Sequence, residues 1–214
     1  MPTAECNLVA ALVRERDRDR YFATLWAPAS ARAGLFALHA LDLELMAVVR
    51  TTTEPMLGQI RLAWWRERLE GLDAGAVPAQ PVLAALAAHV LPTGVTGVSL
   101  TGLEDAMLAL LTEPRDLVRH VEQRGRTLFG AAAALLGQGA DVAWQLGDLW
   151  ASGELARLGE APPLPVHLAW TPRSLSSLRA LAKLAARDLA AAAPEPRGTP
   201  RRQLAIAATM LTGH

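Results

Sequence analysis

Apolar positions along the chain recur at the three-and-four spacing of a helix, and Pro and Gly cut them into segments. Residues about 4–26 read as one or two helices around the alternating run Arg14-Glu15-Arg16-Asp17-Arg18-Asp19-Arg20. That run reads as a solvated face with local ion pairs. Pro28 opens a long helix to about Arg50. Thr53 fits an N-cap for a helix to Leu72, with Pro55 in the first turn, where its missing N–H costs little. Pro81 to Val90 predicts a short helix, and Thr101 with Glu104 has capping-box spacing before Ala106 to Leu111. Pro114 starts a helix to about Leu136, and Asp141 one that ends near Leu158. Gly159 to Pro165 reads as a loop. Thr171 caps a long helix to Ala193 with Leu175, Leu178, Ala182, Ala185 and Leu189 on its apolar face, and a short helix covers about Arg201 to Leu211. The Pro- and Gly-rich segments 73–102 and 191–200 read as connections, so residues 1–214 are expected to form one domain.

Composition supports an all-α chain. Ala and Leu supply 79 residues against 15 Val and Ile, and the first pair loses little side-chain freedom in a helix while the second suits strands. Lys plus Arg and Asp plus Glu number 21 each, a balance that argues against nucleic-acid binding. The single Cys6 excludes a disulfide framework. The longest stretch free of charged residues, Ala74 to Leu103, is broken by Pro78, Pro81, Pro92 and several glycines, so no membrane span is expected. Glu5 and the early charge run leave no sign of a secretion signal. A cytoplasmic chain follows, with peripheral membrane contact left open.

Two helices carry polar groups where a bundle expects apolar ones. At about 100° per residue, Leu35, Leu38, Leu45 and Val49 share one face, and Asp42 falls in the middle of it. His39 and Met46 flank Asp42, Arg50 sits at the margin and Glu44 points the opposite way. A carboxylate in such a stripe either ties two helices together or faces a wet cavity. On the later helix, Asp141, Gln145, Asp148 and Ser152 form a second polar stripe, flanked by Trp144, Ala151 and Leu155. It faces either solvent or the interior.

Other chemistry is thin. The histidines at 39, 89, 120, 167 and 214 show no metal-ligand spacing, no Ser lies in Gly-x-Ser-x-Gly, and the run Gly94 to Gly102 lacks a phosphate-loop Gly-Lys and reads as a flexible connection. Trp64 and Trp65 read as core or groove lining, with Arg61 and Arg68 close enough for cation–π stacking.

The stretch Asp19-Arg-Tyr21-Phe22-Ala-Thr-Leu-Trp-Ala-Pro28, then Arg32 and Leu35-Phe-Ala-Leu-His-Ala-Leu41, resembles the opening of the squalene/phytoene synthase family. Glu54-Pro55-x-x-Gly58-x-Ile60-Arg61-Leu62-x-Trp64-Trp65-Arg66-x-x-Leu69 extends the resemblance. It implies a single-domain, isoprenoid-synthase-like helical bundle around a central cavity. In such enzymes two facing acidic helices hold Mg²⁺ against prenyl diphosphates, because an ionising diphosphate needs cations to carry its charge. Here the match departs from the family where that chemistry should be. Met46-Ala47-Val48-Val49-Arg50 stands where the family has its first Asp-Asp-x-x-Asp, and Leu43 stands where an Arg precedes it. On the second metal helix, Gln145-Leu146-Gly147-Asp148 is followed by Ser152 and Ala156 in place of the two key acids.

The resemblance therefore points to a branch similar to the mitochondrial complex I assembly factor with a squalene/phytoene-synthase-like domain. The implied function is binding of a lipid- or isoprenoid-like ligand, or of a protein partner in respiratory-complex assembly. Asp42, Arg50, Arg61, Gln145 and Asp148 are the candidate ligand-binding residues. No catalytic residue, metal ligand or cofactor is expected, and Mg²⁺ enters only in the alternative of an active head-to-head prenyl transferase using Asp42, Glu44, Asp148 and Glu154. An arginine, with Arg50 the candidate, is expected to take the volume of the lost cation beside Asp42 or Asp148.

Overall fold

The computed structural model describes residues 4–161, 167, 168 and 170–212, and of residues 4–6 the backbone alone. Among them are ten α-helices and no strand: α1 Ala4–Arg16, α2 Arg18–Leu25, α3 Ala29–Thr51, α4 Pro55–Asp73, α5 Pro81–His89, α6 Gly97–Leu108, α7 Leu117–Leu135, α8 Trp144–Ala156, α9 Ser176–Ala190 and α10 Pro200–Thr212. Most of the expected loop from Gly159 to Pro165, and His214, lie outside the described residues.

Helix α3 is the central rod. Leu35, Leu38, Leu41 and Leu45 are fully buried along it, with α1 and α5 on one side and α6 and α7 on another. Helices α7, α8, α9 and α10 pack as consecutive neighbours, and α4 leans on α6. One crossing sets the depth of the site. A Cβ on either Gly125 of α7 or Gly147 of α8 would strike the other's backbone, so glycine at both positions lets the two helices touch main chain to main chain.

Several boundaries differ from the sequence expectation, each because of a specific backbone bond. Asp17 breaks the first segment in two: its carboxylate accepts from the N–H groups of Asp19 and Arg20 at 3.1 Å and caps α2. The run from Gly94 to Gly102 is no flexible connection beyond Thr96. Thr96 caps α6 through Ser99, and Asp73 accepts from the N–H groups of Gly97 and Val98 at 2.6 and 2.9 Å. Thr101 and Glu104 thus lie buried inside α6 instead of capping it. A short 3-10 turn holds Asp141 ahead of α8, and another at Arg173–Leu175 separates Thr171 from α9. The second polar stripe therefore does not lie on one continuous helix.

Candidate functional site

The charge run expected to be a solvated face enters the interior instead. Asp17, Asp19 and Arg20 are buried, Arg20 to 1% exposure. The capped start of α2 turns Arg20 inward, where α2, α3, α7 and α8 converge on Asp42, which is 0% exposed. Arg124 of α7 grips Asp42 with two parallel bonds, from Nε at 2.7 Å and from Nη2 at 2.9 Å. Arg20 adds a third from Nη1 at 2.7 Å. Of the two readings of Asp42, the tie between helices is the one observed, and it joins three of them.

Glu154 of α8 supplies the opposing acid. Arg197, from the segment between α9 and α10, donates to both of its oxygens at 2.6 Å, and Arg20 reaches it at 3.3 Å. Arg197 also lies 3.0 Å from Asp17. Three carboxylates and three guanidiniums so form one buried cluster. The guanidiniums of Arg20 and Arg124 lie 4.8 and 4.9 Å from the centre of the Trp150 ring, a cation–π arrangement that a dry site strengthens.

Burial alone would push Asp42 and Glu154 toward the protonated form. Arg124 and Arg20 overcome it at Asp42, and Arg197, Arg20 and Arg124 at Glu154, so both sit well below the usual carboxylate range. Two neighbouring histidines are shifted down as well, which for them favours the neutral form. Burial and the charge of Arg20 push His39 down to about 3, and burial with Arg124 pushes His120 down to about 4. Both rings are neutral at pH 7, and His120 donates from Nδ1 to the Ala106 carbonyl at 2.7 Å.

Above the cluster opens a cleft of about 360 Å³, lined by α1, α2, α3, α7 and α8. Arg16, Arg20, Arg50, Arg124 and Arg197 border it, with Leu43, Met46, Ala47 and Thr51 as its apolar and small wall and Glu154 as its carboxylate. Arg124 keeps one buried N–H group, on Nη1, without a protein acceptor. Arg50 is exposed at the mouth, and partial burial together with the charge of Arg197 lowers its pKa.

The expected ligand-binding residues scatter. Asp42 lies beneath the cleft and Arg50 at its rim. The arginines beside Asp42 are Arg20 and Arg124, not Arg50, which stands two turns further along α3 at its exposed end. Arg61 points to the outer side, donating to the hydroxyls of Thr51 and Thr52 at 3.2 Å. Gln145 is exposed, and half-buried Asp148 pairs with Arg126 at 3.1 Å, so neither lines the cleft. The acid of α8 that faces inward is Glu154. Arg124 was discoverable from spacing, since Val121, Arg124, Gly125, Leu128 and Ala132 share one buried stripe of α7. Nothing local marks Arg197.

This donor set does not fit a magnesium ion. Both oxygens of Asp42 and both of Glu154 already accept from arginines, and among the described residues no three acidic, His or Cys side chains are grouped to hold a metal.

The geometry thus keeps two facing helices and fills the space between them with guanidinium. The family model described as squalene/phytoene synthase matches residues 13–116, which include α2, α3 and Arg20 with Asp42. Over those residues the chain is similar to the squalene/phytoene synthase family. The chain as a whole is a squalene/phytoene synthase-like all-α protein. It is 26% identical over 166 residues to the human NADH dehydrogenase (ubiquinone) complex I, assembly factor 6, covering 75% of this chain and 47% of that protein. The Bos taurus protein of that name is 25% identical over the same length, with the same coverage. The Rattus norvegicus protein is 34% identical over 71 residues, 33% of this chain and 21% of its own. The chain spans about half the length of the human and bovine relatives it matches. No solved structure matches it. Among the described residues no helix is long and apolar enough to cross a membrane.

Proposed function

We propose that this squalene/phytoene synthase-like protein has given up metal-dependent prenyl transfer and works as an assembly-factor-like protein for a respiratory complex. Its cleft holds a lipid- or isoprenoid-like ligand by an anionic head. The observation that carries this reading is the arginine cluster: Arg20 and Arg124 occupy the acid of α3 directly, so its charge is met by the chain itself. The rim guanidinium of Arg50 offers donors to a phosphate oxygen. The relatives named as complex I assembly factors support the partner side of the proposal.

The test has two arms. With farnesyl or geranylgeranyl diphosphate and Mg²⁺, released pyrophosphate is expected to stay at the level of a chelator control. Sustained release abolished by chelator overturns the proposal in favour of an active synthase. In chelator, titration calorimetry is expected to detect farnesyl diphosphate binding that Arg50→Glu weakens roughly tenfold or more. Absence of binding removes the ligand half of the reading.

A further inference from the structure

The charges around the cleft form a nearly closed set. Five arginines border it: Arg16, Arg20, Arg50, Arg124 and Arg197. All but one meet carboxylates of this chain. Arg16 lies 2.9 Å from Glu44, and Arg20 and Arg124 each lie 2.7 Å from Asp42. Arg197 lies 2.6 Å from Glu154 and 3.0 Å from Asp17. Among the described residues these four carboxylates pair with no cation outside the set. One positive charge is left over, and it falls on Arg50, which makes no ion pair with a described residue. His39 and His120 are neutral at pH 7 and add nothing to the balance. Just beyond the lining, exposed Arg61 at Thr51 and exposed Glu54 carry opposite signs.

The paired guanidiniums are costly for a ligand to recruit. Asp42 is fully buried and Glu154 is 12% exposed, so drawing off Arg20, Arg124 or Arg197 would strand a carboxylate in the interior. Arg16 and Glu44 are 43% and 25% exposed and part more easily, but a head group that takes Arg16 leaves Glu44 beside it. The surplus stays at one charge whichever arginine is met. A prenyl diphosphate carries several negative charges. Arg50 would answer the first with charge-assisted hydrogen bonds, and the others would find no free guanidinium and Glu154 in the wall.

We infer that the cleft selects an amphiphile whose head carries a single negative charge, a carboxylate or a phosphodiester, and gives a diphosphate no advantage. This rests on the ligand reading proposed above and narrows it.

Titration calorimetry in chelator tests it with farnesoic acid, farnesyl monophosphate and farnesyl diphosphate, which share one tail. Their affinities are expected to agree within about threefold, whereas a free guanidinium for every charge would add about tenfold or more at each step. Glu44→Gln releases Arg16 and is expected to make the diphosphate bind about tenfold tighter than the carboxylate, with the unfolding midpoint unchanged because the pair is partly exposed. Lysophosphatidylglycerol, a singly charged phosphodiester, separates the sources: binding of either it or farnesoic acid supports the inference, and the tighter of the two names the head group. Farnesyl diphosphate binding tenfold or more tighter than farnesoic acid in the unaltered chain overturns the inference and leaves the ligand reading intact. An unchanged ratio in Glu44→Gln overturns the charge balance, and absence of binding by all four compounds removes the ligand reading with it.

Discussion

Replacing Arg124 by Met isolates the energetic role of the central cluster. Met keeps much of the side-chain volume against Trp150 and removes the charge. Asp42 would lose two of its three charge-assisted hydrogen bonds, those at 2.7 and 2.9 Å, and keep the one from Arg20 at 2.7 Å. Each such bond contributes about 1.5–3 kcal/mol, giving a gross loss of about 3–6 kcal/mol. Protonation limits the damage. Neutralising a carboxyl whose unfolded pKa is near 3.9 costs about 4 kcal/mol at pH 7. A net destabilisation of about 3–5 kcal/mol follows, the range for breaking a buried pair. Urea unfolding followed by circular dichroism measures it. Asp42→Leu in the same background completes a double-mutant cycle, and the double variant is expected to be at least about 2 kcal/mol more stable than the sum of the single effects implies. A cost below about 1 kcal/mol for Arg124→Met, or additive single effects, would refute the view that this pair holds α3 to α7.

Two further outcomes follow from the same interior. His39 and His120 are held neutral down to about 3 and about 4, whereas an unfolded histidine takes a proton near 6.5. As pH falls below about 6.5 the unfolded chain binds protons that the native chain refuses, so stability falls with pH and the two sites together cost about 5 kcal/mol by pH 4.5. Denaturant unfolding across that window checks the slope, and it should flatten in the variant carrying His39→Leu and His120→Asn. Gly125→Ala is expected to cost about 3 kcal/mol or more, since its Cβ meets the Gly147 backbone and the helices must part. Gly94→Ala, where a Cβ meets nothing and only a positive φ of 90° is strained, should cost about 1 kcal/mol. Equal costs for the two glycines would contradict the crossing.

The helical character, nearly every helix, and the inward place of Asp42 were legible in the chain, because apolar spacing and Ala-Leu content act locally and a carboxylate in a leucine stripe is visible on one helix. What satisfies Asp42 was not. Arg20 and Arg124 lie 22 and 82 residues from it, and Arg197 lies 43 residues from Glu154. No spacing rule links charges that far apart. The alternating run at 14–20 looks solvated by pattern, yet the Asp17 cap turns three of its members inward, and Asp73 makes a helix start of the Gly-rich stretch at Gly97. Sequence determined which surfaces must be buried; folding decided which guanidiniums meet the buried acids, since partner choice among buried charges depends on where the backbones cross, and those crossings are set by the packing of the whole bundle.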